Sequence, residues 1–215
     1  RETAEALGFE VTCGTLKPCK AGAVAKSKQK NLPTHGKHIP SKEKNERIFL
    51  DLLTVKAPKE LKMTVTKPNW RILVDERTQL KFSDFYEAKD DMVEPTCEKF
   101  HKWKENGMQV KFLRMDGAGE NKKLQRRAKS SDWKLNLDYE ITACNTPQQN
   151  HLVEIGFTII GNCGRAFMYN ANVPVKIWYK LFKEDFITAT YLDGLKVVDI
   201  NGVKKTRYEH WCGKL

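Results

Sequence analysis

The chain has 215 residues, a net charge of +11 at pH 7 and a 40% share of hydrophobic residues. That share supports a folded core and excludes wholesale disorder. No apolar run approaches the length that spans a bilayer, so no membrane partner is expected. The basic excess favours a polyanion, nucleic acid ahead of an acidic surface, over charge that serves solubility alone.

The six cysteines, Cys13, Cys19, Cys97, Cys144, Cys163 and Cys212, are irregularly spaced. A chain of this size needs no disulfide staples, which points to a reduced, intracellular protein. It opens on Arg1 rather than Met and carries no signal-peptide pattern, as a piece of a longer product or an incomplete gene product would.

Residues 1–46 are polar and Lys-rich, and the stretch from Lys26 to Glu46, with Pro33, Gly36 and Pro40, reads as an extended linker. Residues 47–54, Arg-Ile-Phe-Leu-Asp-Leu-Leu-Thr, have the character of a buried strand. Residues 69–75 and 78–87 are rich in β-branched and aromatic side chains and flank a polar turn at Glu76-Arg77, a hairpin pattern. Val93, Cys97, Phe100 and Trp103 then recur at helical spacing, with Pro95 in the first turn and Asn106-Gly107 as the stop. Gln109–Met115 is a strand that ends in the turn Asp116-Gly117-Ala118-Gly119, a basic segment follows, and residues 138–143 form another short strand. Thr146-Pro147-Gln148-Gln149 is a capping box with Pro at the first helical position, so a helix begins there. A last helix spans about Pro174 to Leu192, with Ile177, Trp178, Leu181 and Phe182 facing inward and Gly194 as its stop. Trp70, Trp103, Trp133 and Trp178 sit among apolar neighbours and read as core or partly core, not as base-stacking platforms. The order of elements predicts an α/β layered sandwich with a mixed sheet.

Three acidic residues stand out. Asp51 lies inside an apolar strand, where its charge needs a metal ion or a salt bridge to offset the cost of burial. Asp116 ends a strand, where ligand sites of open α/β sheets gather, although a turn Asp that bonds its own backbone has the same local sequence. Glu154 shares a helix face with Asn150 and Thr158 at i, i+4 spacing, a polar stripe that faces either a site or water. Hard divalent cations take a few carboxylates and leave positions for water and phosphate. Two such ions, about 4 Å apart, serve in-line phosphoryl transfer.

Leu50-Asp51-Leu52, the run Leu113-Arg114-Met115-Asp116-Gly117-Ala118-Gly119-Glu120-Asn121, and Thr146-Pro147-Gln148-Gln149-Asn150-His151-Leu152-Val153-Glu154 resemble the integrase core of copia-type LTR retrotransposon polyproteins. Residues 117–153, 37 in all, separate the second and third acids, close to the family's usual spacing. The resemblance runs from about Cys13 to Leu192. It implies a ribonuclease H-like three-layer fold with a mixed five-stranded sheet, with residues 47–193 as the catalytic core and 194–215 as a C-terminal extension. It also implies Mg²⁺ or Mn²⁺ held by Asp51, Asp116 and Glu154, DNA end processing, and strand transfer into target DNA. A homo-oligomer and a place in the nucleus or in a cytoplasmic retroelement particle follow from the same resemblance. The other outcomes open to the sequence are an inactive nucleic-acid-binding remnant and a ribonuclease H-like nuclease without strand transfer.

The chain departs from the family pattern in three places, one of them the helix after Glu154, where Ile155, Thr158 and Gly161 are uncharged and many relatives carry basic residues. Gly117 stands where the family has Asn. Residues 1–46 hold only a remnant of the zinc module: Gly22 replaces a Cys, and Cys13, Cys19, His35 and His38 do not give ligand spacing, so no structural zinc is expected. The basic residues Lys122, Lys123, Arg126 and Arg127, with Asn150 ahead of Glu154, are the candidate DNA contacts; a solvated helix face is the plain alternative.

Overall fold

The computed structural model describes residues 39–61, 65–142 and 150–213. Five strands form one sheet: β1 (Arg47–Thr54), β2 (Asn69–Asp75), β3 (Lys81–Tyr86), β4 (Phe112–Met115) and β5 (Asp138–Ile141), in the order β3-β2-β1-β4-β5. β1, β2 and β3 pair antiparallel, whereas β4 and β5 run parallel to β1, so the sheet is mixed.

Successive side chains of a strand point to opposite faces. On β1, Ile48 and Leu50 join one core, with Leu73 and Leu113 of the neighbouring strands and Cys97, Phe100 and Leu124 of two helices, α1 (Val93–Glu105) and α2 (Gly119–Ala128). Phe49 joins the opposite core, with Trp70 and Ile72 of β2 and side chains of α3 (His151–Asn170) and α4 (Val175–Gly194). Burial on both faces explains why β1 and β2 read as nearly continuous apolar runs rather than as alternating ones. By the same alternation Asp51 lies on the α3 side of the sheet.

α3 and α4 approach closely at Gly164, where an added Cβ would lie 2.3 Å from Phe186 Cδ1. That crossing decides which part of α4 is inside. Phe182, Phe186, Ala189 and Thr190 form its buried side, whereas Ile177 and Leu181, expected to face inward, are about 40% exposed. Trp178 is half-buried and donates from Nε1 to the Val173 carbonyl at 2.6 Å.

Three further differences from the sequence expectations appear. β4 begins at Phe112 rather than Gln109. The basic segment is the helix α2. The Thr146–Gln149 capping box lies outside the described residues, as do the zinc-module remnant and its Cys and His residues.

Beyond α4 the chain stays ordered. β6 (Val197–Ile200) and β7 (Val203–Thr206) form a hairpin whose two-residue turn, Asn201-Gly202, has φ of 56° and 79°, the left-handed conformation that such tight turns require. α5 (Arg207–Cys212) starts at Thr206, whose hydroxyl accepts from the Glu209 amide while the Glu209 carboxylate accepts from the Thr206 amide. Its Trp211 is buried against Phe82 of β3 and Trp103 of α1, with ring centroids 5.3 and 5.2 Å away. Arg207 and Lys81 share the Asp193 carboxylate, the Lys81 contact being 2.7 Å. Among the described residues no helix is long and apolar enough to cross a membrane.

Trp211→Ala is expected to destabilise the whole sheet domain by about 3–5 kcal/mol, the scale of a large buried aromatic lost from a core. Urea denaturation followed by far-ultraviolet circular dichroism reads this as a lower midpoint of one cooperative transition. A normal midpoint would mean that residues 195–213 fold independently of the sheet.

Candidate metal centre

Asp51 lies in the central strand, with Leu52 N–H donating to its Oδ1 at 2.8 Å. β4 pairs with β1 so that Phe49 is level with Arg114; the same offset carried two residues further sets Asp51 level with Asp116. Asp116 is the residue just past the end of β4. Ala118 N–H and Asn121 Nδ2 donate to its Oδ1 at 3.1 and 2.6 Å, and Asn121 Nδ2 also reaches its carbonyl at 3.3 Å. Glu154 is in the first turn of α3 and is exposed.

The electrostatics of Asp51 link the three. Its pKa is pushed up from 3.8 to about 6, first by burial and then by the negative charges of Asp116 and Glu154, against the Leu52 amide and the Lys89 ammonium, which lower it. Glu154 is also raised, by desolvation, with a smaller opposing pull from His151. Asp51 therefore feels the negative charge of both other carboxylates. The three do not close on one point as they stand: among the described residues no three His, Cys, Asp or Glu side chains meet closely enough to hold a metal ion. Like charges crowded without a cation repel, and the exposed Glu154 side chain is free to turn away from the other two. The donor set nonetheless suits a hard divalent cation, which takes carboxylate oxygens. Such an ion would oppose the burial and negative charge that raise the Asp51 pKa.

Three neighbours of the acids have roles other than any read from the sequence. Asn121, 2% exposed, orients Asp116. Its position five residues on, at the start of a helix, is the signal that was available. Lys89 lies in a short 3-10 turn, Lys89–Met92, between β3 and α1, and pairs with Glu120 at 3.4 Å beside Asp51. Asn150 is buried at the entry to α3 and donates to the Leu50 carbonyl at 3.3 Å, so its side chain points into the fold and ties α3 to the residue before Asp51. His151, next along, sets its ring edge-on to Phe49, with centroids 6.4 Å apart.

The candidate cations all lie on α2. Lys122 and Arg126 are exposed, and Arg126 Nε donates to the Lys122 carbonyl at 3.4 Å. Lys123 pairs with Asp90, and Arg127 pairs with Glu94 and, at 2.5 Å, with Asp132.

The fold has counterparts among solved structures. One is a chain of the simian T-cell lymphotropic virus intasome, solved with PP2A regulatory subunit B56 gamma: TM-score 0.58, 16% identity, 97% of this chain and 66% of that one. Another is the HTLV-2 integrase catalytic core domain in complex with magnesium, in its trimeric form: TM-score 0.53, 16% identity, 79% of this chain and 98% of that one. The dimeric form of the same domain aligns with TM-score 0.50 and 14% identity over the same shares. The fold is that of an integrase catalytic core. The five-stranded mixed sheet with helices on both faces is its ribonuclease H-like architecture. No protein-family model and no curated protein matches the chain.

Two predictions follow from the geometry. Between pH 3.8 and about 6 the folded protein holds the Asp51 proton more tightly than the unfolded chain does. Stability of the metal-free protein is therefore expected to fall as pH rises through that window. Thermal melts from pH 4 to pH 7 should show that loss in the wild type and a smaller one in Asp51→Asn; equal slopes would contradict the raised pKa. At Gly117 an added Cβ would meet only Ile141 Cγ2, at 3.7 Å, an ordinary contact. Gly117→Asn is therefore expected to change stability by less than about 0.5 kcal/mol, the scale of an unstrained surface change, measured as an unchanged melting temperature.

Proposed function

We propose that this chain is the catalytic core of a copia-type LTR retrotransposon integrase, which processes the ends of element DNA and joins them to target DNA. The observation that carries the reading is Asp51, a carboxylate in the central strand whose charge is opposed by both Asp116 and Glu154. The fold it shares with integrase cores and the ordered motifs around the three acids support the same reading.

Asp51, Asp116 and Glu154 would hold Mg²⁺ or Mn²⁺. When bound there, such ions activate the attacking oxygen and stabilise the leaving oxygen of an in-line displacement. The protein's part is placement. The Leu52 amide fixes one carboxylate and the Ala118 amide with Asn121 fixes the second, while Glu154 is the arm that swings to complete the set. Fixed donors of this kind lower the cost of assembling a charged site. In end processing, water attacks the scissile phosphorus and the 3′ oxygen of the element strand leaves with a free hydroxyl. In joining, that 3′ hydroxyl attacks a target phosphodiester. Helix α2, which starts three residues after Asp116, supplies the DNA contact, and a second copy of the chain is the expected partner. The nucleus or a cytoplasmic retroelement particle is the place of action.

Nicking and joining assays on element-end DNA with Mn²⁺ or Mg²⁺ test this. Glu154→Gln is expected to lower both by at least about 100-fold, the scale of losing one group that stabilises transition-state charge. Mn²⁺ should raise the melting temperature of the wild type at neutral pH and much less at pH 5, because ligands must shed protons to bind. DNA binding with no turnover in either protein would assign an inactive remnant instead. Nicking without joining would assign a nuclease.

A further inference from the structure

α2 has three distinct sides. Asn121, Leu124 and Ala128 are buried and face the core. Glu120, Lys123 and Arg127, at i, i+3 and i+7, face the Lys89–Met92 turn and the start of α1 and form a ladder of ion pairs with them. Lys89 pairs with Glu120 and Lys123 with Asp90. Arg127 pairs with Glu94, whose other oxygen also accepts from Trp133 Nε1 at 3.1 Å. The third side carries Lys122, Arg126 and Lys129 at i, i+4 and i+7. All three are exposed, and among the described residues none has an acidic partner within salt-bridge distance. Lys129 lies over the ring of Tyr139 on β5, 5.6 Å from its centroid, which extends the row toward the edge strand of the sheet.

We propose that Lys122, Arg126 and Lys129 form a track for the phosphate backbone of duplex DNA, and that Lys123 and Arg127 hold α2 against α1 and do not touch the DNA. The assignment rests on the reading of the chain as a DNA-processing core. The distinction is electrostatic. A cation already neutralised by a fixed carboxylate releases few counterions when a phosphate approaches, whereas an unpaired one releases its full share. The dimensions fit as well. Seven residues of helix span about 10 Å at 1.5 Å per residue, and one DNA strand advances about 3.4 Å per phosphate, so the row matches about three successive phosphates. It begins one turn into the helix that follows Asp116, so a strand lying on it leads toward the carboxylates. Contacts of this kind position DNA without reading its sequence.

The test compares the 215-residue wild type with two variants, Lys122→Gln/Arg126→Gln/Lys129→Gln and Lys123→Gln/Arg127→Gln. Binding to a random-sequence DNA duplex is measured from 50 to 200 mM salt. At about 0.9 in slope per phosphate contact, the triple variant should lose about 2.7 from the slope of log K against log salt, with an unchanged melting temperature. The double variant should lose less than about 1 in slope and melt a few degrees lower. An unchanged slope in the triple variant, an equal or larger loss in the double, or no duplex binding by the wild type would overturn the assignment. So would a triple variant that loses binding to phosphatidylserine vesicles while keeping its affinity for DNA. Cutting and joining assays run beside the binding assays separate the two levels. A wild-type protein that binds DNA through the row and fails to cut or join overturns the catalytic reading alone, and one that cuts with undiminished salt dependence in the triple variant overturns the track alone.

Discussion

β1 is hydrogen-bonded along both edges and covered on both faces, and the site's geometry is set relative to it. Its antiparallel pairing with β2 and parallel pairing with β4 fix where Asp51 stands relative to the end of β4, and hence relative to Asp116. Its lower end is clamped by Arg47, which donates to Glu76 at 2.8 Å and Glu140 at 3.0 Å and also reaches the Ile39 carbonyl. On the adjacent strand, the guanidinium of Arg114 lies over the ring of Phe49 and also bonds Glu140. The Leu50 carbonyl accepts from Asn150, which brings the start of α3 to the strand. A one-residue slip of β1 would exchange its two apolar faces and send Asp51 into the opposite core. The register that builds the core is therefore the register that presents the acid.

The basic excess of the chain is divided between structural and free cations. Arg71, fully buried, pairs with Asp84, which also accepts from Lys99 at 2.8 Å. Lys81 and Arg207 share Asp193. Each of these cations is buried or half-buried, and a buried charge without its partner carries a cost of several kcal/mol per ion, about the scale of a whole domain's net stability. Such residues are tied to the fold and are not available to a ligand. Net charge alone would have counted them with Lys122 and Arg126, which stand in water.

The sequence made the sheet legible where burial is complete. Ile-Phe-Leu-Asp-Leu-Leu in β1 and the β2–β3 hairpin carry dense apolar patterns, and Val93, Cys97, Phe100 and Trp103 mark α1 directly. α2 was harder to read because Leu124 and Ala128 are its only buried apolar residues, too few to display a period; tertiary packing and the ion pairs with α1 set it. The reverse error occurred in α4. Its apolar stripe is longer than the surface that covers it, and no local pattern tells that Gly164 places the crossing opposite Phe186 rather than Ile177. The hairpin after α4 went unread although Asn201-Gly202 is a strong turn signal, because four-residue strands hold too little pattern. For the site, spacing supplied the three acids and nothing about their distance. The field of Asp116 and Glu154 at Asp51, visible only in three dimensions, relates them.

The Trp211 side chain fills the space beside Phe82 and Trp103 from the far end of the chain. Synthesis runs from the N-terminus, so on the ribosome the five strands and all three acids emerge well before the residue that covers that aromatic slot. A product that ends anywhere between Gly194 and Trp211 would keep all five strands and all three acids and yet expose two large rings beside an edge strand, a surface that invites association with other chains. The position of this tryptophan thus sets where a gene fragment can be cut and still yield a well-behaved protein, a boundary 17 residues beyond the end of the sheet-covering helices at Gly194.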